Sequence, residues 1–268
     1  MSTAPAPGTR EWNASVYHRV SAPQFTWGQA VLDRLPLRGD ELVLDLGCGT
    51  GRLTALLLDR LPEGRAIGID LSENMLATAR RELPARHRRR AAFVHADVSV
   101  LPVAGTADAI FSTATFHWVH DHARLFRSLF QALKPGGRVV AQCGGGPNIK
   151  RHHDRASALM RQPDFAPFYA TWVDPWEYAD APTTRARLEA AGFVDIMSRV
   201  IAAPTVFPDR PSFVEFVTNV IFRHHIAPLP ADRRQQFIET LADQAAVDPV
   251  PFEIDYWRLD FDATKPTR

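Results

Sequence analysis

A run of glycines at alternate positions limits the folds open to this chain more than any other feature. Gly47, Gly49 and Gly51 directly follow the apolar stretch Leu42–Leu46 and directly precede the helical stretch of residues 52–60. Glycine at such a turn lets the backbone bend tightly and lets a ligand approach where a Cβ atom would block it. The sequence therefore predicts a strand, a ligand-binding turn and a helix in immediate succession.

Short apolar stretches alternate with helical stretches through the first half of the chain. Strands are predicted at residues 42–46, 66–69, 92–95, 109–111 and 138–142, with helices between them. Two further strands are predicted at residues 194–202 and 252–261. Repeated strand–helix–strand units are typical of parallel sheets with crossover helices. We therefore expect an α/β fold, with a Rossmann-like, seven-stranded, mostly parallel sheet, helices on both of its faces, and helical cover insertions.

The composition argues against several classes of protein. Lys plus Arg number 31 and Asp plus Glu number 30, so the chain lacks the basic excess of a dedicated nucleic-acid binder. Its two cysteines, Cys48 and Cys143, favour a reduced, cytoplasmic setting, and Cys143 is expected to be buried and inert. No run of 18 apolar residues occurs. We expect a cytoplasmic globular protein that binds neither nucleic acid nor membrane.

Four blocks after the glycine turn extend the pattern. Gly-Ile-Asp-Leu-Ser-Glu-Asn-Met-Leu occupies residues 68–76, His-Ala-Asp residues 95–97, and Leu-Lys-Pro-Gly-Gly-Arg residues 133–138. The remaining block, residues 108–118, ends in Phe-His-Trp. Together with the turn, these blocks resemble the class I S-adenosylmethionine-dependent methyltransferases. Within that family, Phe-His-Trp and the leader residues Tyr17, Gln24 and Trp27 most resemble the trans-aconitate methyltransferase branch.

The resemblance implies S-adenosyl-L-methionine as the cofactor and S-adenosyl-L-homocysteine as the product. It implies that the glycine turn faces the methionine part, and that Asp45 holds the turn and meets the methionine ammonium. Asp70 is expected to bind the ribose, Asp97 the adenine amino group, and Leu71 the adenine face. The full set of expected cofactor contacts is Tyr17, Gln24, Trp27, Asp45, Gly47, Cys48, Gly49, Gly51, Asp70, Leu71, Asp97, Val98, Thr113, Ala114 and His117.

We expect a single methyltransferase domain over residues 1–268, whose parts bind different ligands. Residues 1–40 are predicted to be a leader that covers the cofactor, and residues 41–143 the cofactor-binding core. Residues 144–180 and 204–250 are predicted to cover the substrate. Ligands of open α/β sheets bind outside the carboxyl ends of the strands, where such insertions can fold over them.

Absent motifs narrow the acceptor of the methyl group. The strand-four block lacks the Asn/Asp-Pro-Pro-Tyr/Phe pattern of enzymes that methylate base or glutamine nitrogens, and the chain contains no Pro-Cys dipeptide. A small-molecule acceptor is therefore expected, first of all a carboxylate oxygen that forms a methyl ester. An N- or C-methyltransferase of a natural-product intermediate is the nearest alternative. The expected acceptor contacts are Trp118, Trp172, Phe216, Asn219 and Arg223, with Arg223 as a carboxylate clamp.

His117 is the candidate catalytic residue, as a general base or as a group that orients the acceptor. Its neighbouring histidines and the pairs His152–His153 and His224–His225 match no standard ligand spacing, so no metal is expected. Two functions of other classes stay open. A nicotinamide oxidoreductase is disfavoured because Arg52 stands where a dinucleotide motif has its third glycine. A non-catalytic S-adenosylmethionine-binding protein is the other, and the oligomeric state is also open.

Overall fold

The computed structural model describes residues 11–12 and 22–267, so Tyr17 lies outside the described residues. The strands are β1 (Leu42–Leu46), β2 (Arg65–Asp70), β3 (Ala91–His95), β4 (Ala107–Thr113), β5 (Leu133–Gly144), β6 (Val194–Ala202), β7 (Thr205–Val206), β8 (Glu253–Ile254) and β9 (Trp257–Thr264). The helices are α1 (Ala22–Arg34), α2 (Arg52–Asp59), α3 (Glu73–Glu82), α4 (His122–Ala132), α5 (Lys150–Met160), α6 (Ala181–Ala190), α7 (Arg210–Phe216), α8 (Arg223–Ile226) and α9 (Ala231–Ala246). Within the described part, no helix combines the length and apolar character needed to cross a bilayer.

Seven strands form one sheet in the order β3-β2-β1-β4-β5-β9-β6. β1 to β5 pair in parallel, and β9 lies antiparallel between β5 and β6. The predicted α/β fold with a mostly parallel, seven-stranded sheet is thus confirmed. The order reverses between β1 and β4, so the carboxyl ends of β1, β2 and β4 border one crevice, where ligands of such sheets bind.

The strand predicted at residues 252–261 is two strands, and this prediction was wrong in detail. β8 pairs with β7 in a separate two-stranded sheet, and only β9 joins the main sheet. Phe252 has a φ of +57°, which takes the backbone out of the extended region just before β8. The apolar alternation of residues 252–261 runs through the interruption between β8 and β9, so the sequence pattern gave no sign of two separate strands.

Helices bury apolar residues on both faces of the sheet. On one face, Phe126 and Leu129 of α4 pack with Phe261 of β9. On the other, Leu32 of α1 and Leu57 of α2 are fully buried. The α4 helix begins at His122, and Asp121 caps it by accepting a hydrogen bond from the Arg124 N–H. The sheet is thereby held rigidly beneath the crevice.

A third apolar cluster lies outside the sheet, in the insertions. We call residues 144–180 and 204–250 the cover. Its core contains the fully buried Phe213 and Phe222, together with Phe165 and Phe237. Residues 204–246, predicted as part of a helical insertion, form the short strand β7, then α7, a π-helical turn at Val217–Ile221, α8 and α9. Residues 144–180 contain α5 and a 3₁₀ turn at Ala166–Tyr169.

Candidate active site

The glycine turn between β1 and α2 has the backbone that its residues predicted. Gly47, Gly49 and Gly51 have φ angles of +71°, +54° and +76°, in the left-handed region that favours glycine. A Cβ at Gly47 would lie 1.8 Å from Thr115 Oγ1, whereas a Cβ at Gly49 would meet no atom within 4 Å. The turn is therefore closed on the protein side at Gly47 and open to a ligand at Gly49.

Two carboxylates flank this turn, the buried Asp45 and the half-buried Asp70. Asp45 accepts a 2.6 Å hydrogen bond from the Thr54 hydroxyl, and burial raises its pKa to about 7, with a further contribution from nearby Asp70. Asp70 accepts hydrogen bonds of 2.9 Å from the Gly49 N–H and from the Ser72 N–H, one on each oxygen. Burial raises the pKa of Asp70 as well. Each Asp70 oxygen keeps a second lone pair, which two adjacent hydroxyl groups could use.

The residues expected around the adenine lie at the ends of β2 and β3. Leu71 follows β2, and its carbonyl oxygen lies 2.9 Å from His95 Nε2. Asp97 follows β3 and accepts a 2.8 Å hydrogen bond from the Ser99 N–H, and Val98 is buried beside it. Cys48 is buried under the turn, where burial raises the pKa of its thiol well above the usual value. The fold thus brings these positions to the same edge as Asp70.

Two described segments of the leader approach this edge. Gln24 Oε1 on α1 is buried and has no hydrogen-bond partner among the described residues. Trp27 packs edge-on against Tyr256, with ring centroids 5.1 Å apart. Glu11 accepts a 3.0 Å hydrogen bond from the Ser72 hydroxyl, and the Trp12 ring meets Trp118 at 5.6 Å. Sequence reasoning missed Glu11 and Trp12 because no periodicity or motif marks them.

His117 lies in a short 3₁₀ turn just beyond β4, after Thr113 and Ala114. It is 8% exposed, and its Nδ1 accepts a 3.3 Å hydrogen bond from the Gly144 N–H. Burial, reinforced by the nearby Arg258 charge, holds the pKa of His117 well below its usual value. A neutral ring that accepts at Nδ1 carries its proton on Nε2, which makes Nε2 a donor. This arrangement favours orientation of an acceptor over proton abstraction.

The five expected acceptor residues do not form one constellation. Trp118 and Arg223 both contact Trp12, because the Arg223 guanidinium lies 4.2 Å over the Trp12 ring. Arg223 Nη2 donates to the Glu11 carbonyl, while its buried Nη1 has no hydrogen-bond partner among the described residues. Trp172 lies elsewhere, with its ring centroid 4.7 Å from that of His225.

The other two acceptor residues have partners within the cover. Phe216 is 1% exposed and packs at 4.7 Å on Phe207 in the core of the cover, out of a ligand's reach. The Asn219 amide donates a 2.8 Å hydrogen bond to the Glu215 carbonyl of the preceding turn. Both were expected near the acceptor because aromatic and polar side chains of the cover suit a small-molecule pocket. Phe216 directly precedes the π-helical turn Val217–Ile221, and Asn219 lies within it.

Arg258 is a buried cation that sequence reasoning also missed. It pairs with Gly144 across β9 and β5, is 5% exposed, and lies 4.7 Å over the Trp27 ring. Its Nε donates to Gln142 Oε1 at 3.4 Å. The only signal in the sequence was a charged residue inside a late apolar strand, which gives no indication that the strand inserts beside β5.

Both cysteines and most histidines have local partners. Cys143 is buried, and burial raises its pKa to about 12, which keeps the thiol protonated. His122 Nε2 lies 3.0 Å from the Phe116 carbonyl, and His120 is exposed.

Within the described part of the chain, one group of three potential metal ligands comes together, and it consists of His153, Asp174 and His225. The sequence spacing had not indicated it.

Comparisons with known proteins agree with this geometry. Residues 43–137 match the model of a methyltransferase domain family. A trans-aconitate 2-methyltransferase of Variovorax paradoxus is 32% identical over 247 residues, which cover 88% of this chain and 90% of that protein. The chain belongs to the class I S-adenosylmethionine-dependent methyltransferases, in the trans-aconitate methyltransferase branch. S-adenosyl-L-methionine is thus its methyl donor, and its acceptor is a small molecule.

Solved structures of methyltransferases share the fold. A putative methyltransferase of Bacillus halodurans has a TM-score of 0.64 at 15% identity, covering 90% of this chain and all of that one. A phosphoethanolamine N-methyltransferase of Haemonchus contortus in complex with S-adenosyl-L-methionine has a TM-score of 0.61 at 19% identity, covering 94% of this chain and 56% of that one. At these identities the likeness concerns the fold alone.

The residues present fit this methyl donor. A Cβ atom at residue 49 would project into open space beside the turn, and glycine leaves that space to a ligand. The free lone pairs of Asp70 suit two ribose hydroxyls, and the buried Gln24 Oε1 is an acceptor still in need of a donor. All three lie around the crevice at the carboxyl ends of β1 and β2.

Proposed function

We propose that this methyltransferase forms a methyl ester on a carboxylate oxygen of a small polycarboxylate, with trans-aconitate as the first candidate. The observation that carries the proposal is the relative named trans-aconitate 2-methyltransferase, which is similar across both the core and the cover. Similarity over 88% of the chain includes the segments that would contact the acceptor.

Two guanidinium groups near the crevice support an anionic acceptor. Arg258 is buried at the carboxyl end of β5, close enough to His117 to lower the pKa of that ring. Arg223 carries a buried Nη1 without a hydrogen-bond partner among the described residues. A planar guanidinium donates two parallel hydrogen bonds to a carboxylate, and such pairs are strong where water is excluded.

In this proposal, the core residues hold the methyl donor in a fixed position. Asp70 accepts hydrogen bonds from the ribose hydroxyls, and Asp97 accepts one from the adenine amino group. Asp45 ionises beside the methionine ammonium, and Leu71 packs on the adenine. Gly47, Gly49 and Gly51 leave room for the methionine part beside the backbone, near the N-terminus of α2, where N–H groups attract a carboxylate.

The reaction needs positioning more than proton transfer. When bound, S-adenosyl-L-methionine would supply a methyl group on its sulfonium. An anionic carboxylate oxygen would attack that methyl carbon in line without losing a proton, and S-adenosyl-L-homocysteine would leave as the neutral thioether. Arg223 and Arg258 hold the other carboxylates of the acceptor, and His117 Nε2–H donates to one of its oxygens. Trp12 and Trp118 exclude water from the crevice. Holding the reacting atoms close and dry is the main contribution that a protein makes to such a displacement.

The three parts of the chain divide this work. We infer that residues 41–143 bind the methyl donor, that residues 1–40 close over it, and that the cover encloses the acceptor. Contacts between these parts support the division. The Glu177 N–H donates to the His117 carbonyl at 2.8 Å, and Arg223 of the cover donates to Glu11 of the leader.

The test is transfer of an isotope-labelled methyl group from S-adenosyl-L-methionine to a panel of small carboxylic acids, followed by mild base. We expect labelled trans-aconitate, and release of the label as volatile methanol after base, because esters hydrolyse where N-, C- and ether-linked methyl groups do not. Trans-aconitate trimethyl ester serves as the matched control, because it keeps the carbon skeleton and has no free carboxylate. Label that survives base would overturn the ester proposal.

A further inference from the structure

The cover brings together two histidines and an aspartate that are far apart in the sequence. His153 lies on α5, Asp174 lies in the loop before α6, and His225 lies on α8. One potential ligand atom from each residue lies within 4.8 Å of those of the other two. None of the three has a part in the proposed methyl transfer.

His225 is the most unusual member of this group. Its side chain is fully buried, and neither ring nitrogen has a hydrogen-bond partner among the described residues. The rings of Trp172, Trp176 and Phe222 surround it, with centroids 4.7, 4.8 and 5.2 Å away. A buried imidazole without partners is costly, and its retention points to a ligand that binds nitrogen.

The other two members are already oriented toward each other. His153 Nε2 lies 2.6 Å from Asp174 Oδ2. The Trp176 N–H donates to Asp174 Oδ1 at 2.9 Å, which fixes the direction of the carboxylate. Metal-binding carboxylates are typically held by a second hydrogen bond of this kind.

We propose that His153, Asp174 and His225 bind a divalent transition-metal ion such as Zn²⁺. Two imidazoles and one carboxylate suit ions of borderline softness, and hard ions such as Mg²⁺ prefer oxygen ligands. With metal–ligand distances of about 2.0–2.2 Å, the ligand atoms of a tetrahedral site lie about 3.4 Å apart. The His153–Asp174 contact then opens by about 1 Å and His225 moves inward, with a water molecule as the fourth ligand.

Such an ion would connect the two segments of the cover. His153 and Asp174 belong to residues 144–180, and His225 belongs to residues 204–250. The aromatic rings around His225 shield that side of the site from bulk water, and the fourth-ligand water reaches the ion from the half-exposed side of His153 and Asp174. The ion thus acts as a structural clamp, and its binding is measurable without any methyl acceptor.

The test is a Zn²⁺ titration of the untagged, chelator-treated protein in competition with a chromophoric indicator. We expect one equivalent of Zn²⁺ per chain, and at least tenfold weaker binding in each of His153→Gln, Asp174→Asn and His225→Leu. Leucine replaces the unpaired ring by an apolar side chain of similar size, and Asp174→Asn changes a half-exposed loop, so both variants should fold. Co²⁺ substitution should give the intense visible absorption of a four-coordinate site, which His225→Leu should lose.

The matched control is His224→Gln, which removes the adjacent imidazole on the same short helix. We expect this variant to bind Zn²⁺ as the wild type does. Binding of less than a tenth of an equivalent by the wild type would overturn the proposal. Equal weakening by His224→Gln, or wild-type affinity in the three ligand variants, would also overturn it. None of these outcomes depends on methyl transfer.

Discussion

The core and the cover differ in how completely their buried polar groups are paired. Within residues 41–143, all of which are described, His87 Nε2 is the one buried side-chain polar atom without a hydrogen-bond partner, and it lies 3.0 Å from Asp59. In the cover, six such atoms occur among the described residues, including Arg223 Nη1 and both ring nitrogens of His225. Buried polar atoms are almost always paired in folded proteins. The difference indicates that the core is organised before its ligand binds, whereas the cover keeps Arg223 Nη1 and the two His225 nitrogens available to ligands.

The largest effect is expected from Asp70→Ala, which tests the core, where nearly all buried polar atoms are paired. The variant loses both the proposed ribose acceptor and the carboxylate that caps the Gly49 and Ser72 N–H groups. We expect the Kd of S-adenosyl-L-homocysteine to rise about 10- to 150-fold, equivalent to about 1.5–3 kcal/mol for hydrogen bonds to a charged group. Isothermal titration calorimetry measures it, with the exposed Asp40→Ala as control. An unchanged Kd would remove Asp70 from the site.

Asp45 should make the affinity for the product depend on pH. In the free protein its pKa is about 7, against 3.8 for an ordinary aspartate, and a bound ammonium group would lower it. At pH 6 binding therefore releases a proton, so affinity falls up to about tenfold per pH unit below 7 and levels off above it. Calorimetry in buffers of different ionisation enthalpy counts this proton, and Asp45→Asn should abolish the release. Release that persists in Asp45→Asn would contradict the assignment.

The same raised pKa has the opposite effect on stability without ligand. The folded state keeps a proton on Asp45 that the unfolded chain loses above about pH 4. The contribution of Asp45 to the free energy of unfolding therefore falls as pH rises from about 4 to about 7. Asp45→Asn should remove this slope, which denaturant unfolding at several pH values would show.

Arg223→Lys tests the cover, where buried polar atoms such as Arg223 Nη1 have no hydrogen-bond partner among the described residues. Lysine keeps the charge but loses the planar fork that grips a carboxylate. We expect the KM of the acceptor to rise about 5- to 10-fold, while the Kd of S-adenosyl-L-homocysteine stays unchanged. Steady-state kinetics measure the first quantity and calorimetry the second, with the exposed Arg234→Lys of α9 as the matched control. Equal changes in both quantities would show that core and cover do not act separately.

The smallest effect is expected at His117. If its Nε2–H orients the acceptor, His117→Ala should lower kcat about fivefold, the scale of one neutral hydrogen bond, with an unchanged affinity for S-adenosyl-L-homocysteine. The kcat of the wild type should be flat between pH 6.5 and 9, because the pKa of the ring lies well below 6.5. A loss of 100-fold or more would instead indicate a general base.

The sequence predicted the core well because the residues that specify each of its elements lie close to that element in the sequence. The glycine turn directly joins the strand and the helix that it predicted, and each strand predicted at residues 42–46, 66–69, 92–95, 109–111 and 138–142 lies within a strand of the sheet. The resemblance to a known family then supplied the order of the blocks, and the sheet confirmed the fold. The cofactor roles of the individual residues stay predictions until a complex is measured.

The cover was harder to predict because its contacts are long-range. The helix α5 buries His152 beside Ala156 and Leu159, so a polar residue interrupts the apolar period that would have marked it. Arg258 enters the crevice only because β9 inserts between β5 and β6. His153 and His225 are 72 positions apart and meet only when two insertions fold together.

The position of β9 also fixes when the enzyme can first work during its synthesis. Because the ribosome makes β9 after β6 and after the whole cover, the adjoining edges of β5 and β6 cannot gain their native neighbour until residues 257–264 leave the exit tunnel. Arg258 arrives with that strand. A chain still being translated can therefore already present its glycine turn, while the guanidinium beside His117 is added last.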